Sequence, residues 1–503
     1  MSPITTLARV RLEVDGAPFA LTTGILTDVL VQQRLSLPTL CELTFTDSPA
    51  AAMLLTPFQS GSALRVIVQD HYPALFAGQI TAVERTYHAG NQREIRVRAY
   101  DPLHALRKRQ TVRTHQAASV SDVARDLVGD LGLSVDEQGT SPVWDYVIQH
   151  RQSDFDLLAE LADRGGMYFT VRDAMLHLLT LEGLDEVAPL VLGATLLEAR
   201  LEWNAEPALR STTAIGWNAL RVETHSGGSS AARSGRAVRV DASPYTVNGS
   251  GERLLVGEQA QDSAHADALA QAELDRQIAR EVTFWGVAEG DPLLRPGAKV
   301  DVQGVDDDFS GRYVITSAIH TINARSSYTT ELSTLPPPRR ERSTSADATI
   351  GVVTGIDGEL GRVRASLSAY QDIETEWMHV LSLGAGANKG LIILPDVGDE
   401  VLVLLIGGDP AQGVVLGGLF GMKGMHDSGI HEGAVRRFTL RTPGGQRIQL
   451  NDADATIRVE NSGKSFIELT PDRVTVHAEV DLTFEAPGKT ITIKGNTINF
   501  ERG

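Results

Sequence analysis

The side chains that could catalyse a reaction or bind a metal are numerous in this sequence, but their spacing matches no catalytic pattern. The 503 residues include 13 histidines and 64 aspartates and glutamates, yet no H-E-x-x-H, C-x-x-C or H-x-H spacing occurs. Such spacings bring ligands together, as zinc binding requires. Five histidines of the N-terminal region are scattered without a cluster: His71, His88, His104, His115 and His150. We therefore expect no metal and no other cofactor.

Four further segments carry residue types that could bind a ligand or react. The acidic run Asp306–Asp308 is predicted to lie in a solvated loop. Weak calcium binding is the alternative, although the spacing of these aspartates is not that of an EF-hand. Two Gly-rich segments, GAGANKG at 384 and GGDP at 407, lack the spacing of a phosphate-binding loop and are predicted to be turns. Cys41, the only cysteine, lies on an apparent strand, so we expect a buried and unreactive thiol.

Composition and charge exclude several classes of protein. A net charge of −18 disfavours nucleic acid as a partner, because binding to phosphates depends on basic patches. The sequence has no run of about 18 apolar residues, which a transmembrane helix would need. Its N-terminus also lacks the basic and apolar regions of a secretory signal. We predict a β-rich protein of several domains that is synthesised in the cytosol without a signal peptide.

Residues 1–335 are predicted to contain two β-rich units, about 1–100 and 205–335, with a helix-bearing insertion at 101–204 between them. Both units show short runs of alternating apolar and polar residues, separated by turn signals every 8–12 residues. This pattern is typical of small barrels or sandwiches.

Helices are predicted over 119–132, 153–165 and 262–280 from apolar side chains that recur at helical spacing. Ser153 and Asp156 have the spacing of a capping box. Asp101 is placed to cap a further helical stretch, which puts Leu103 and Leu106 on one face.

Residues 336–346, PPPRRERSTSA, are predicted to be a linker, because three prolines stiffen the chain and the remainder is charged and Ser-rich. Their basic cluster could instead dock on another surface. Residues 347–421 then contain about five or six strands, which fits a small closed barrel of OB type. Its segment 390–420 reads as nearly pure aliphatic strands, including GLIILP, with turns at Pro395–Asp399 and Gly407–Pro410.

After a connector at 422–440, residues 441–503 repeat short strands with pairs of inward-pointing apolar residues. This repeat is the signature of a β-solenoid or β-helix. A single copy would leave strand edges open and bury little apolar surface, so we predict a homotrimeric β-prism. The predicted core of the trimer, following a first pair at Ile448 and Leu450, is Ile457, Val459, Ile467, Leu469, Val474, Val476, Leu482, Phe484, Ile491, Ile493, Ile498 and Phe500.

The segment from GRVRASLSAYQ to LGGLFG resembles the OB-domain signature of VgrG and phage baseplate spike proteins. Gly413 departs from the family, which usually has proline there, and LGAGANKG replaces a Trp-rich segment; the second departure favours the injection-particle and phage-like branches. The positions that match are Gly361, Arg362, Val363, Trp377, Val380, Pro395, Val397, Gly398, Asp399, Glu400, Val401, Leu402, Val403, Gly408, Asp409, Pro410, Val414, Val415 and Gly417.

A second block, HRQSDFDLLAELADRGGMYF at 150–169, is similar to a block of the family's hub domain. The resemblance implies a mainly β fold with two tube-protein-like barrels in the hub of each chain, an OB barrel and a trimeric β-helix. Three chains would then present six barrels to a hexameric tube ring, which reconciles threefold with sixfold symmetry.

The function implied by the resemblance is that of a central hub and spike in a contractile injection system. Implied partners are inner-tube (Hcp-like) proteins, baseplate proteins and cargo or effectors; the target membrane is contacted mechanically. Because the tail lacks an H-x-H tip, we expect a PAAR-type protein at its C-terminal end. The alternative is a tail-associated cell-wall hydrolase, but residues 422–440 are too few to form an enzyme where some family members carry one.

The resemblance leaves open which system owns the particle: a phage, a tailocin, an extracellular injection particle or a type VI apparatus. In each of them the protein is part of an assembled particle, which some systems release from the cell.

Overall fold

A computed structural model of the chain describes residues 10–21, 24–47, 56–69, 71–89, 93–184, 187–341 and 345–501. The chain divides into two compact units, Met1–Leu419 and Phe420–Gly503. Strands dominate both units. Among the residues described, no helix is long and apolar enough to span a membrane.

The N-terminal strands alternate apolar and polar side chains and bury the apolar ones in a single core. Cys41 has no exposed surface in that core, which confirms the predicted burial, and desolvation raises the pKa of its thiol. The strands are β1 (Val10–Val14), β2 (Ala17–Phe19), β3 (Leu26–Arg34), β4 (Leu40–Asp47), β5 (Ala63–Val68), β6 (Phe76–Tyr87) and β7 (Arg93–Tyr100).

The insertion has a separate core, formed by two helices and short strands. Its helices begin where the capping residues predict: the side chains of Asp101 and Ser153 accept hydrogen bonds from the backbone N–H groups of Leu103 (3.0 Å) and Asp156 (3.1 Å). In order, the elements are a 3₁₀-helix (Pro102–Lys108), β8 (Arg113–Ala118), α1 (Val120–Val128), a 3₁₀-turn (Gly129–Leu131), β9 (Ser134–Glu137), β10 (Trp144–Gln149), α2 (Asp154–Arg164), β11 (Tyr168–Arg172) and β12 (Met175–Leu179).

The second β-rich unit is interrupted by a long helix, as predicted. This helix packs against a three-stranded sheet through Ala214, Leu255, Leu269 and Ala270. The elements are β13 (Val187–Val191), β14 (Leu196–Trp203), β15 (Ser211–Asn218), β16 (Glu223–Ser229), a 3₁₀-turn (Pro244–Val247), β17 (Glu252–Gln259), α3 (Ser263–Glu281), β18 (Val282–Glu289), β19 (Lys299–Gln303), β20 (Gly311–Val314), β21 (Ser317–Asn323) and β22 (Ser327–Ser333).

The two β-rich units share one sheet of 11 strands, in the order β14-β18-β22-β21-β3-β4-β7-β6-β5-β1-β2. The join is the antiparallel pair of β3 and β21, in which Val29 lies opposite Ile322. β3 is the edge strand of the first unit, since its other side pairs with β4. The second unit extends the sheet by adding β21 to this edge. Two tube-protein-like barrels were expected in the hub; the described residues contain no closed barrel.

Residues 347–419 form a six-stranded sheet, called here the OB-like sheet. Its path is β25-β24-β23-β27-β28, with β26 paired to β24. One isolated bridge, between Val380 just after β26 and Val415 on β28, connects the two ends of this sheet. No continuous strand pairing among the described residues closes the sheet there. The strands are β23 (Asp347–Asp357), β24 (Arg362–Leu367), β25 (Ile373–Glu374), β26 (Met378–His379), β27 (Glu400–Leu405) and β28 (Gly413–Leu419), with 3₁₀-turns at Ser368–Tyr370 and Ile406–Gly408.

The prediction that GLIILP is a strand is wrong. Residues 390–399 contain no strand, and Ile392 is 82% exposed. Gly390 and Gly398 have φ angles of +139° and +91°, which extended strands do not use, and Pro395 lacks a donor. The backbone conformation that these glycines and the proline adopt therefore prevents a strand, despite the aliphatic composition of the segment.

The C-terminal unit is an antiparallel meander, with β31 to β35 paired in sequence order. A β-helix was expected, and residues 478–501 hold no strand, although Leu482, Phe484, Ile491, Ile493, Ile498 and Phe500 were expected to lie in strands. The elements are a 3₁₀-turn (Gly421–Lys423), β29 (Ile430–His431), β30 (Ala434–Val435), β31 (Arg437–Arg441), β32 (Arg447–Asn451), β33 (Thr456–Glu460), β34 (Phe466–Leu469) and β35 (Val474–His477).

Replacing His320 by glutamine is expected to reduce the acid sensitivity of the Met1–Leu419 unit. Burial beside β3 lowers the pKa of His320 to about 3, and its Nδ1 lies 3.0 Å from the Thr330 hydroxyl and 3.2 Å from the Tyr328 hydroxyl. Below pH ~6.5 the unfolded chain gains a proton that the folded chain lacks, so stability falls as pH falls, by at most about 1.4 kcal/mol per pH unit.

The measurement is urea unfolding of both proteins at pH 7.5 and pH 5.0, where the parent chain should lose about 2 kcal/mol more than the variant. Burial raises the pKa of Asp101 to about 6, so its contribution has the opposite sign: it is present at low pH and is lost as pH rises towards 6. Asp101 is present in both proteins and cancels in the comparison. Equal losses would contradict the role of His320.

Candidate functional site

One face of the C-terminal sheet is lined by exposed apolar side chains, and we call it the C-terminal apolar face. Cross-strand pairing places its side chains opposite one another on the same side, for example Ile448 with Val459 and Ile457 with Leu469. Each is between 41% and 68% exposed: Phe438, Leu440, Ile448, Leu450, Ile457, Val459, Ile467, Leu469, Val474 and Val476. Contiguous apolar surface of this extent marks an interaction site.

The opposite face of the same sheet is polar and internally paired. Arg458 donates to Glu468 (2.9 Å), and its guanidinium lies 3.9 Å from the centroid of the Phe466 ring. Arg447 pairs with Glu460 on neighbouring strands. These contacts satisfy the charges within one chain, so the sheet has a satisfied polar face and an uncovered apolar face.

The predicted trimer-core residues fall into two groups. Six of them, from Ile457 to Val476, lie together on the C-terminal apolar face. The other six, Leu482, Phe484, Ile491, Ile493, Ile498 and Phe500, are exposed and lie outside any strand. Their burial in a trimer stays a prediction.

The signature residues of the OB-like sheet are mainly its core and its turns. Val363 is fully buried, and Pro410 is also buried. Gly398 and Gly408 have φ angles of +91° and +72°, which permit the two turns that flank β27. Gly417 lies opposite Leu402 at a register shift between β27 and β28.

The remaining signature side chains are polar or lie near the ends of strands. Arg362 donates two hydrogen bonds to Asp357, and Asp399 accepts one from the backbone of Asp396 (2.8 Å). Gly361 precedes β24 with a φ of +64°, Glu400 opens β27, and Pro395 lies in the irregular segment before it. Trp377 lies under the guanidinium of Arg364, 4.5 Å from ring centroid to Cζ. None of these arrangements aligns a nucleophile with a base.

Direct contacts attach the OB-like sheet to the insertion, and we call this region the joint. The Tyr146 hydroxyl donates to the backbone carbonyl of Glu374 (2.9 Å), and Arg151 forms an ion pair with Asp347 (2.9 Å). Arg151 also lies over the ring of Tyr370, 5.5 Å from its centroid. Tyr146, Ile148 and Ala411 form a small shared apolar cluster.

Two arginines of the linker are held in place, which favours the docking alternative for its basic cluster. Arg339 donates to Glu258 (2.5 Å), and Arg340 donates to Asp156 of α2 (3.0 Å). Gln259 also donates to the carbonyl of Ile406 (3.2 Å). The OB-like sheet is therefore fixed to the rest of its unit by several contacts besides the covalent connection.

The sequence reasoning did not identify Tyr146, Arg151 or Gln259 as residues of a joint. Tyr146 lies on a strand that reads as an ordinary alternating run, WDYVIQ, and its partner is a backbone carbonyl 228 residues away. A backbone acceptor leaves no trace in the amino-acid pattern. The adjacent linker was the only signal of a domain boundary.

Replacing Tyr146 by phenylalanine is expected to loosen the joint by about 1 kcal/mol, because it removes one half-buried hydrogen bond and keeps the ring. Hydrogen exchange of the backbone amides in β24 and β25 should accelerate about fivefold. The matched control is Tyr245→Phe, a tyrosine that is 68% exposed. Unchanged exchange in Tyr146→Phe would show that the hydroxyl contact does not hold the two parts together.

Among the residues that the structure describes, no group of three or more His, Cys, Asp or Glu side chains could hold a metal ion. Burial lowers the pKa of His115 and His265, which favours their neutral forms.

Two protein families match the chain. The phage tail baseplate hub (GPD) family matches residues 32–326. The type VI secretion system/phage-baseplate injector OB domain matches residues 349–420. The first match covers more than half of the chain, and the second coincides with the OB-like sheet. No curated protein matches the chain.

Solved structures of low sequence identity share the fold. The c3393 protein of E. coli, described as a component of the type VI secretion system, aligns with a TM-score of 0.53 and 14% identity, covering 81% of this chain and 99% of that one. A Francisella PdpA–VgrG complex aligns with a TM-score of 0.56 and 11% identity, covering 93% of this chain and 80% of that one. The lidless form of the PdpA–VgrG complex gives 0.54 and 10% identity, with 93% and 98% covered.

Proposed function

Since the chain belongs to the phage tail baseplate hub family, we propose that it is the central hub and spike of a contractile, phage-tail-like injection system. In this role it caps the inner tube, organises the baseplate and punctures the target envelope when the sheath contracts. Its function is structural, and it is not an enzyme. The observation that carries the proposal is the C-terminal apolar face, which a single chain leaves uncovered.

Three copies would bury this face in a shared β-prism, with residues 478–501 completing their strands by pairing between chains. Burial of apolar surface is the dominant favourable term in association, and interchain ladders would remove the open strand edges. A dry core with continuous hydrogen bonds is suited to compressive load. The polar face, with its charges already paired within the chain, would then face outward.

The proposed division is a hub over 1–335, a linker over 336–346, an OB domain over 347–421, a connector over 422–440 and a spike over 441–503. The two β-rich units of the hub would act as two tube-like modules per chain. Three chains then offer six modules to a sixfold ring of tube (Hcp-like) proteins. The joint supports this role, because contacts between the hub and the OB-like sheet give a rigid path for force.

Other proposed partners are baseplate proteins, cargo or effectors, and a PAAR-type protein on the C-terminal end of the spike. The protein would be made in the bacterial cytoplasm and incorporated into the particle, which meets the target membrane mechanically. The hydrolase alternative has no observation in its favour, because the connector carries no catalytic arrangement among its described residues.

The test is co-assembly of the purified chain with a purified inner-tube (Hcp-like) protein. We expect electron microscopy to show short tubes that end in a single pointed cap, and we expect no clearing of cell-wall suspensions. The matched control is the chain with Ile457→Asp, which should give tubes without caps. Wall clearing by the unaltered chain would favour the hydrolase instead.

A further inference from the structure

A cavity of about 960 Å³ lies within the Met1–Leu419 unit, between the insertion, β17, the linker and the turn after β27. Its lining includes Trp144, Glu160, Arg164, Val256, Arg340 and Asp409. The volume is at the upper end of the range typical of ligand pockets. No step of the proposed hub function requires such a space.

Most charges around the cavity pair with one another; among the described residues, the carboxylates of Asp409 and of the exposed Glu341 do not. Within the described residues no ion pair reaches Asp409, whose Oδ1 accepts only the backbone N–H of Ala411 (2.9 Å). Burial raises the pKa of Asp409, although nearby Arg164 counteracts this. A desolvated carboxylate without a salt-bridge partner favours the arrival of a cation. The pairs that neutralise the other charges are Arg164–Glu160 (3.6 Å), Arg339–Glu258 (2.5 Å) and Arg340–Asp156 (3.0 Å).

The wall of the cavity also holds a buried donor. Trp144 is part of this wall and is only 1% exposed. Its indole Nε1 has no hydrogen-bond partner in the described part of the chain, although buried donors are nearly always satisfied in native structures.

The strand β17 offers an open edge at the same place. Among the described strands it pairs with β15 alone, and Val256 and Gly257 on it line the cavity. Val256 is 67% exposed. An unpaired edge beside exposed apolar side chains is suited to the addition of an extended segment.

We propose that this cavity binds an extended, basic peptide segment of a partner protein. The segment adds along the free edge of β17 and places a lysine or arginine side chain against Asp409. A small inorganic cation would use the carboxylate but neither the strand edge nor the volume. This site goes beyond the proposed hub function, and its occupancy does not depend on the C-terminal apolar face.

The test uses fluorescence anisotropy with the full chain and a fluorescein-labelled peptide, Val-Arg-Val-Lys-Val. Binding to the parent chain is expected, and Asp409→Asn should weaken it about tenfold, because asparagine keeps the turn acceptor but removes the charge. The matched control is Asp307→Asn, an acid whose side chain is 91% exposed and remote from the lining. Equal affinity of the two variants would overturn the proposal.

A second variant guards against misfolding of the first. Val256→Lys changes an exposed position on the β17 edge, so the fold should persist. The added positive charge should repel the basic peptide and lower its binding affinity about tenfold. A peptide with glutamate in place of both basic residues should not bind. Competition by spermidine at the same concentration as the peptide would overturn the peptide assignment and indicate a site for small cations.

Discussion

Replacing Arg276 by methionine is expected to lower the free energy of unfolding of the Met1–Leu419 unit by about 3–5 kcal/mol. Arg276 lies on α3 and is 4% exposed. Its guanidinium donates to Asp163 of α2 (2.7 Å) and to Glu273 (3.3 Å), whose side chains are also largely buried. Methionine fills a similar volume but removes the guanidinium that two largely buried carboxylates share; Glu273 keeps its ion pair with Arg253 (3.3 Å). The lost compensation of buried charge is the cause of the destabilisation.

The measurement is urea unfolding followed by tryptophan fluorescence. The matched control is Arg239→Met, since Arg239 pairs with Asp307 at 3.9 Å and both side chains are mostly exposed. Such a pair contributes about 0–1 kcal/mol. A double variant that adds Asp163→Asn should recover part of the loss, because it removes one of the two carboxylate charges that Arg276 compensates. Equal destabilisation by Arg276→Met and Arg239→Met would show that the buried network contributes little.

The charges buried on α3 show where sequence reasoning stops. Residues 262–280 predict a helix correctly, and α3 spans Ser263–Glu281. The sequence gives no reason to expect that Asp275 and Glu281 are buried, because charged positions on a helix are normally solvated. Their partners Arg233, Arg236 and Arg210 come from loops about 40 to 70 residues earlier in the chain. Pairings of that range are not encoded in local periodicity.

Local sequence patterns predicted the individual strands and helices better than they predicted how those elements pair in the fold. Alternation of apolar residues located most strands of the 11-stranded sheet, and Asp101 and Ser153 marked the beginnings of helices. The pairing of β3 with β21 was not predictable, because edge partners are chosen by packing across the fold rather than by either strand. GLIILP failed for the opposite reason, since its glycines and proline outweighed its aliphatic character.

The sequence predicted which apolar residues belong to the C-terminal apolar face, but not which of the predicted residues would form strands. The period-2 pattern placed Ile457, Val459, Ile467 and Leu469 on one side of a sheet, where cross-strand pairing brings them together. Residues 478–501 show the same alternation but form no strand in the single chain. The same alternation of Ile491 and Ile493 remains a prediction about an assembly.

Replacing Val474 by aspartate is expected to prevent formation of the proposed trimer and to leave a monomer. Val474 lies opposite Leu469 on the C-terminal apolar face and is 68% exposed in one chain. In the proposed β-prism three aspartates would enter a shared apolar core without partners, and each buried unpaired charge costs several kcal/mol. The monomer itself should stay folded, because position 474 is already solvated there.

The measurement is molar mass by sedimentation equilibrium at micromolar concentration, with circular dichroism to confirm that strands persist. The matched control is Thr475→Asp, one residue further along β35, whose side chain points to the opposite, polar face. Side chains alternate between the two faces along a strand. The aspartate at 474 would therefore enter the proposed apolar core, whereas the aspartate at 475 would lie on the polar face.

Ile491→Asp extends the test beyond the last strand. Loss of the trimer in this variant would place residues 478–501 in the same core, whereas an unchanged molar mass would confine the interface to β31–β35. A trimeric Val474→Asp chain would refute the packing of this face against other copies.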